Sequence, residues 1–269
     1  MKISDTDDGA RAPPFVTALA RGLEVLASFT RDSPELGASE IARRIGLPQP
    51  TVWRLCQTLL AVGYLVPSAS GQRMRLGPKV LGLGFAVIAD DFIGEIARPY
   101  LQQIAEQYQG GTSLGMRVGR DILYLQRCIG GEVAFRDLRI GSRVAILESP
   151  MGWAHLAAIS EGERDEFLSS GPRLSSRAAM HVARAVKRFE VDGFVAAVRA
   201  IHPDFNAVAV PVFSNDRRQI LALSCGGLAS TIKEKLIPEI GSKLKIVAAA
   251  IGSAIPPERQ SRGNSGSDS

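Results

Sequence analysis

Glu40-Ile-Ala-Arg-Arg-Ile-Gly-Leu-Pro-Gln-Pro-Thr-Val-Trp-Arg-Leu-Cys-Gln57 carries two helical patterns separated by a glycine and a proline. The first spans Ala38 to Ile45, with Gly37 before it and Glu40 in its first turn, where a carboxylate meets the positive end of the helix dipole. Gly46 breaks the chain, and Leu47-Pro48 lead into a second helix from Pro48 to Val62. Gly63 follows it, where a left-handed residue closes a helix at low cost. Upstream, Val16, Leu19, Leu23 and Leu26 recur at helical spacing from Phe15 to about Arg31, and Ser33-Pro34 ends that helix. Downstream the period changes to two. Tyr64-Leu65-Val66 and Arg73-Met74-Arg75-Leu76 flank the turn-rich Pro67–Gly71 and predict a small hairpin. Short helices joined by a tight turn and followed by a hairpin are the order of a winged helix-turn-helix.

The helix from Pro48 can be projected at about 100° per residue. Val52, Leu55, Cys56, Leu59 and Val62 then fall on one arc and predict the core face. Pro50, Trp53, Arg54 and Gln57 fall on the opposite arc, with Gln49 at its edge. Such a face suits a major groove: Arg and Gln reach guanine and adenine edges or phosphates, and Trp offers an apolar surface to a thymine methyl. Between Leu36 and Leu76 there are five arginines (43, 44, 54, 73 and 75) and one acid, Glu40. This segment alone carries +4 of the chain's formal +5, so the charge is concentrated where a phosphate backbone needs it. Arg73 and Arg75 alternate with Met74 and Leu76, which predicts both on the outer face of the wing.

The remaining composition narrows the alternatives. Hydrophobic residues make up 45% and charged residues 22% of 269, the balance of a globular protein long enough for two domains. Cys56, Cys128 and Cys225 lie far apart, outside any CxxC pair, and read as buried reduced thiols of a cytoplasmic protein. The acidic start and the lack of a long apolar run predict neither a signal peptide nor a membrane span. An enzyme is the rival class. However, His155, His181 and His202 lie apart without metal spacing, and no Walker loop or GxGxxG turn is present. No cofactor or metal is expected. A nucleoid-type structural protein would not need so large an apolar second half.

The polar segments 1–14 and 256–269 read as disordered tails. The winged domain covers 15–77, a helical linker 78–92 and a second domain 93–255. That second domain opens with an amphipathic helix placing Ile93, Ile96, Tyr100, Leu101, Ile104 and Tyr108 on one side. Strands are predicted at Ser113–Val118, Ile122–Cys128, Val133–Leu138, Ala207–Phe213 and Ile220–Cys225. Helices are predicted near Met151–Ile159, Arg164–Ser169 and Ser176–Glu190, and a last one from Ser230 or Thr231, with Glu234 completing a capping box.

Taken in order, Arg21–Leu26, Glu40–Pro48, Thr51–Leu55, Gly63-Tyr64, Arg75–Pro78 with Leu83-Gly84, Gly141–Arg143, Met151-Gly152, Leu156-Ala157, Ala209–Val212 and Leu221–Ser224 resemble the IclR family of bacterial transcription regulators. The resemblance covers about 15 to 255. It implies a mixed α/β fold class, with the winged helix-turn-helix followed by a GAF-like α+β effector domain. It also implies a double-stranded DNA operator, a homodimer or homotetramer, and control of an operon by a small metabolite, often an organic or aromatic acid. Thr51 joins the DNA-binding set on this basis. Pro150, Met151, Asn206 and Ser224 fall where the family lines its effector pocket, with Leu223 as apolar wall. The family's acidic cluster is missing from Gly193–Asp204, Asn206 stands at the cysteine position and Gly226 at a second small polar one. With no acid, Lys or Arg assigned to the pocket, a neutral or singly acidic, partly aromatic ligand is expected.

Overall fold

A computed structural model describes residues 15–30, 33–69, 71–83, 92–131 and 138–255. The chain divides into two compact units, Met1–Asp90 and Asp91–Ser269. The expected tails, most of the linker helix and nearly all of the Val133–Leu138 strand lie outside the described residues; within the linker, residues 79–83 are helical.

In the first unit, α1 (Thr17–Ala27), α2 (Ala38–Ile45) and α3 (Gln49–Ala61) pack around Val25, Phe29, Ile41, Val52, Cys56 and Leu65. The start and stop signals act as read. The Gly37 N–H donates to the Glu40 carboxylate at 2.8 Å, and Gly46 takes the left-handed conformation (φ 67°) that lets the chain leave α2. The wing is three-stranded rather than two. β1 (Glu35–Leu36) joins β2 (Leu65–Pro67) and β3 (Met74–Leu76) in the order β1-β3-β2, which makes β3 the central strand.

Two expectations about this unit change. Helix α1 ends at Ala27 rather than near Arg31, and its buried side is Val25, with Leu26 beside it and Phe29 just beyond its end. Val16, Leu19 and Leu23 are exposed. An apolar stripe at helical spacing fixes the helix but not which partner covers it. Val62 is 44% exposed because α3 stops one residue earlier, leaving Val62 as its cap.

The second unit is a six-stranded antiparallel sheet, order β6-β5-β4-β9-β8-β7, with helices on both faces. The strands are β4 (Gly111–Val118), β5 (Asp121–Ile129), β6 (Arg143–Ala145), β7 (Val195–Val198), β8 (Phe205–Phe213) and β9 (Ile220–Leu228). On one face, α4 (Phe92–Tyr108) and α8 (Ile237–Ala254) cover large residues: Leu114, Val208, Val210, Val212, Leu221 and Leu223. The other face presents Ala207, Ala209 and Ala222, and these small side chains let α5 (Pro150–Ala158) and α7 (Ser176–Asp192) approach the sheet closely. The short α6 (Glu161–Ser169) joins them, with Ser160 as its cap. Strand β8 is buried along seven of its nine residues, as a strand covered on both faces must be.

Here too the structure corrects the reading. Strands β6 and β7 were not expected, being three and four residues long. Tyr100 turns to the outer side of α4, while Ala97, Leu101, Ile104 and Ala105 fill the core. The last helix begins at Ile237, not at Ser230 or Thr231. Glu234 instead opens a short 3-10 turn, Glu234–Leu236, so the expected capping box does not form.

Candidate functional site

The outer arc of α3 is open to solvent. Trp53 is 52% exposed, and Gln49, Pro50, Arg54 and Gln57 are exposed beside it; Thr51 is half-buried in the first turn. Burial of Val52 and Cys56 on the opposite arc fixes this orientation. The two wing arginines differ. Arg75 is exposed at the centre of β3, between Val66 on β2 and Glu35 on β1. Arg73 is tied back to the domain: it forms a 2.6 Å ion pair with Glu40 and donates to the Glu35 carbonyl at 3.3 Å. Arg44 is held similarly by the Ser28 carbonyl and Ser33 Oγ.

The second unit holds a cavity of about 160 Å³ lined by Gly111, Ser113, Tyr124, Arg127, Leu138, Val144, Glu148, Ser149, Pro150, Met151, Ile201, Phe205, Ala207, Ser224 and Gly226. Strand register explains its floor. Arg127, Ser113 and Ser224 lie in one row across β5, β4 and β9, so their side chains stand side by side on the α5 face. Arg127 donates to Ser113 Oγ at 3.3 Å. In the next row Gly111, Gly226 and Ala207 supply almost no side chain. A Cβ on Gly226 would stand 2.7 Å from the Phe205 ring and 2.9 Å from the Ala207 methyl, so the space depends on that glycine. At the cavity's other wall, Ser149 caps α5 by accepting from the Gly152 N–H, and Pro150 and Met151 form the first turn.

Of the four residues expected at the pocket, Pro150, Met151 and Ser224 line this cavity and Asn206 does not. Asn206 alternates with Phe205 and Ala207 along β8 and so faces away. Its amide is a clamp: Oδ1 accepts from the Arg199 N–H at 3.0 Å and Nδ2 donates to the Ile232 carbonyl at 2.8 Å. Leu223 likewise points to the α4 and α8 face. Arg127, Ser113, Tyr124 and Glu148 were missed. Tyr124 and Arg127 are three apart, which on a regular strand puts them on opposite faces. A β-bulge at Leu125 on β5, opposite the Leu114/Gly115 step of β4, shifts the register, pairing Gln126 with Leu114 but Tyr124 with Gly115, and brings both to the cavity. Burial raises the Tyr124 pKa and lowers that of Arg127, with the partner opposing the shift in each case.

His155 is buried on α5, and burial, then the Arg117 charge, push its pKa down to about 4. His181 is stacked on Trp153 at 4.7 Å between centroids, and the three cysteines are buried free thiols. Among the described residues no group of three His, Cys, Asp or Glu is placed to hold a metal ion, and no helix is long and apolar enough to cross a membrane.

A helix-turn-helix unit with a basic open recognition arc, followed by a helix-flanked sheet with an internal cavity, defines a DNA-binding transcriptional regulator. Residues 18–68 match the IclR helix-turn-helix domain and residues 85–253 the bacterial transcriptional regulator IclR C-terminal domain. The chain belongs to the IclR family. It is 28% identical to the Pca regulon regulatory protein of Pseudomonas putida, over 79% of this chain and 74% of that protein. Its fold matches the crystal structure of an IclR family transcriptional regulator from Brucella abortus, with TM-score 0.81 and 35% identity, covering 90% and 93% of the two chains. It also matches an IclR homolog from Microbacterium hydrocarbonoxydans complexed with 4-hydroxybenzoate, with TM-score 0.66 and 25% identity over 88% and 98%.

Proposed function

We propose that this regulator acts in the cytoplasm as a homodimer or homotetramer and reads a palindromic operator through α3. Its grip on DNA is then set by a small organic or aromatic acid held in the second-unit cavity. The observation that carries the DNA part is the open arc of Gln49, Pro50, Trp53, Arg54 and Gln57, on the unit that concentrates the chain's positive charge. Thr51 in the first turn, and Arg75 on the wing, reach phosphates flanking that groove; Arg73 supports the wing by its tie to Glu40. For the sensor part, Pro150, Met151 and Ser224 are on the wall of a cavity large enough for one small metabolite. The controlled operon is catabolic on this reading, the acid being a substrate or product of the enzymes it encodes.

Nuclease footprinting on the promoter beside the regulator's own gene tests this. Two protected half-sites, about one helical turn or a multiple of it apart, are expected. A protein that protects no site there, with or without an acid, does not act as described.

A further inference from the structure

We infer that the cavity takes a single-ring aromatic monocarboxylate and that Arg127 is the residue that anchors its carboxylate. The inference rests on the cavity being the effector site and adds the chemistry that selects the effector. Three observations meet there. The row Arg127–Ser113–Ser224 sets one guanidinium and two hydroxyls side by side on the cavity floor, a fork-and-hydroxyl cradle matched to a planar oxyanion. The 3.3 Å bond from Arg127 to Ser113 Oγ orients that fork, and the bulge at Leu125 is the device that turns Tyr124 to the same face.

The body of the ligand follows from the rest of the lining. Tyr124, Leu138, Val144, Met151, Ile201 and Phe205 form apolar wall, with two aromatic rings among them. The floor row Gly111–Gly226–Ala207 leaves a gap without side chains. The volume, about 160 Å³, is close to the roughly 150 Å³ of an apolar cavity that accommodates benzene. Arg127 is the one cation among the described lining residues, and Glu148 is also there, so a second carboxylate on the ligand meets a like charge. A compact anion without a ring would satisfy the cradle but leave the aromatic wall unfilled.

Calorimetric titration of the full-length protein with benzoate, 4-hydroxybenzoate, benzamide and pyruvate tests this, using wild type, Arg127→Lys and Arg127→Gln. Circular dichroism and operator binding serve as controls for folding. At least one benzoate should bind, with benzamide weaker by roughly ten- to a hundredfold, the range expected for loss of a charge-assisted hydrogen bond. Arg127→Gln should remove that preference for acid over amide, and Arg127→Lys should keep part of it. Equal binding of benzoate and benzamide, or a benzoate affinity unchanged in Arg127→Gln, overturns the anchor while the cavity stands as the effector site. Pyruvate binding as tightly as benzoate overturns the single-ring reading. No binding by either benzoate also overturns the inference. The sensor reading then stands or falls separately, on whether filling the cavity abolishes the response to whichever metabolite the operon's enzymes consume.

Discussion

Asn206 and Arg127 show how far one residue's role depends on the face it occupies. Asn206 is polar and close to the cavity in sequence, yet it is 1% exposed on the far face of β8 and joins Arg199 to Ile232. Asn206→Ala leaves the buried Ile232 carbonyl without that partner, while the Arg199 N–H keeps its bond to the Phe205 carbonyl. It should cost about 1–3 kcal/mol of stability in a denaturant titration while ligand affinity at the folded protein holds. A variant of wild-type stability that no longer binds ligand would put Asn206 back in the pocket. On α3, Arg54→Ala should weaken operator binding by about 1–3 kcal/mol and relax preference at one base pair, if its guanidinium meets a base edge. Binding unchanged in both Arg54→Ala and Gln57→Ala would move the reading surface off this arc. The open arc of α3 was legible because Val52 and Cys56 identify the buried one. Arg127 was not, since strict alternation along β5 puts it opposite Tyr124 and only the bulge reverses that.

Among the elements, those bounded by strong local signals were the ones the sequence placed well. Gly37 and Gly46 bracket α2, and Pro48 and Gly63 bracket α3; Gly46 and Gly63 act through positive φ and Pro48 through its fixed φ, while Gly37 acts through its N–H bond to Glu40. Elements held by pairing alone were missed. β1 is two residues long and exists by virtue of its bonds to β3, and β6 and β7 likewise lean on β5 and β8. The stripe of α1 was read correctly as helix, but periodicity does not say what covers a face, and Val16, Leu19 and Leu23 are exposed. The wing carries a prediction at this scale. Arg75→Ala should lower the slope of log affinity against log salt by about one, the loss of one phosphate contact. Arg73→Ala should lower it less, because Arg73 is already paired with Glu40. Equal slopes for the two variants would show that the ion pair opens on DNA.

Across the whole molecule, the cavity unit links stability to pH through His155, which is 6% exposed on α5. Its pKa in the fold is about 4 against an ordinary 6.5, so between these values the unfolded chain binds more protons. The contribution is fully present above pH 6.5 and is lost as pH falls toward 4. From pH 7 to 5 it should remove roughly 2 kcal/mol, read as a falling urea midpoint, and His155→Leu should flatten that fall. Parallel curves for wild type and variant would assign the pH dependence elsewhere. The division into a helix-turn-helix unit and a sheet-bearing unit was legible early, because the change from short helices and a hairpin to long strands is written in the hydrophobic period. On the proposed function, what ties the units into one regulator is ligand-dependent DNA affinity. The most direct test measures operator affinity of the full chain by fluorescence anisotropy, with and without a saturating aromatic acid. It compares wild type with Ala207→Leu, which fills the cavity floor. The acid should shift wild-type affinity by about fivefold or more in either direction, the usual size of a coupling between sites, and leave the variant's affinity unmoved. A wild-type affinity indifferent to every acid that binds, or an equal shift in the filled variant, would contradict it.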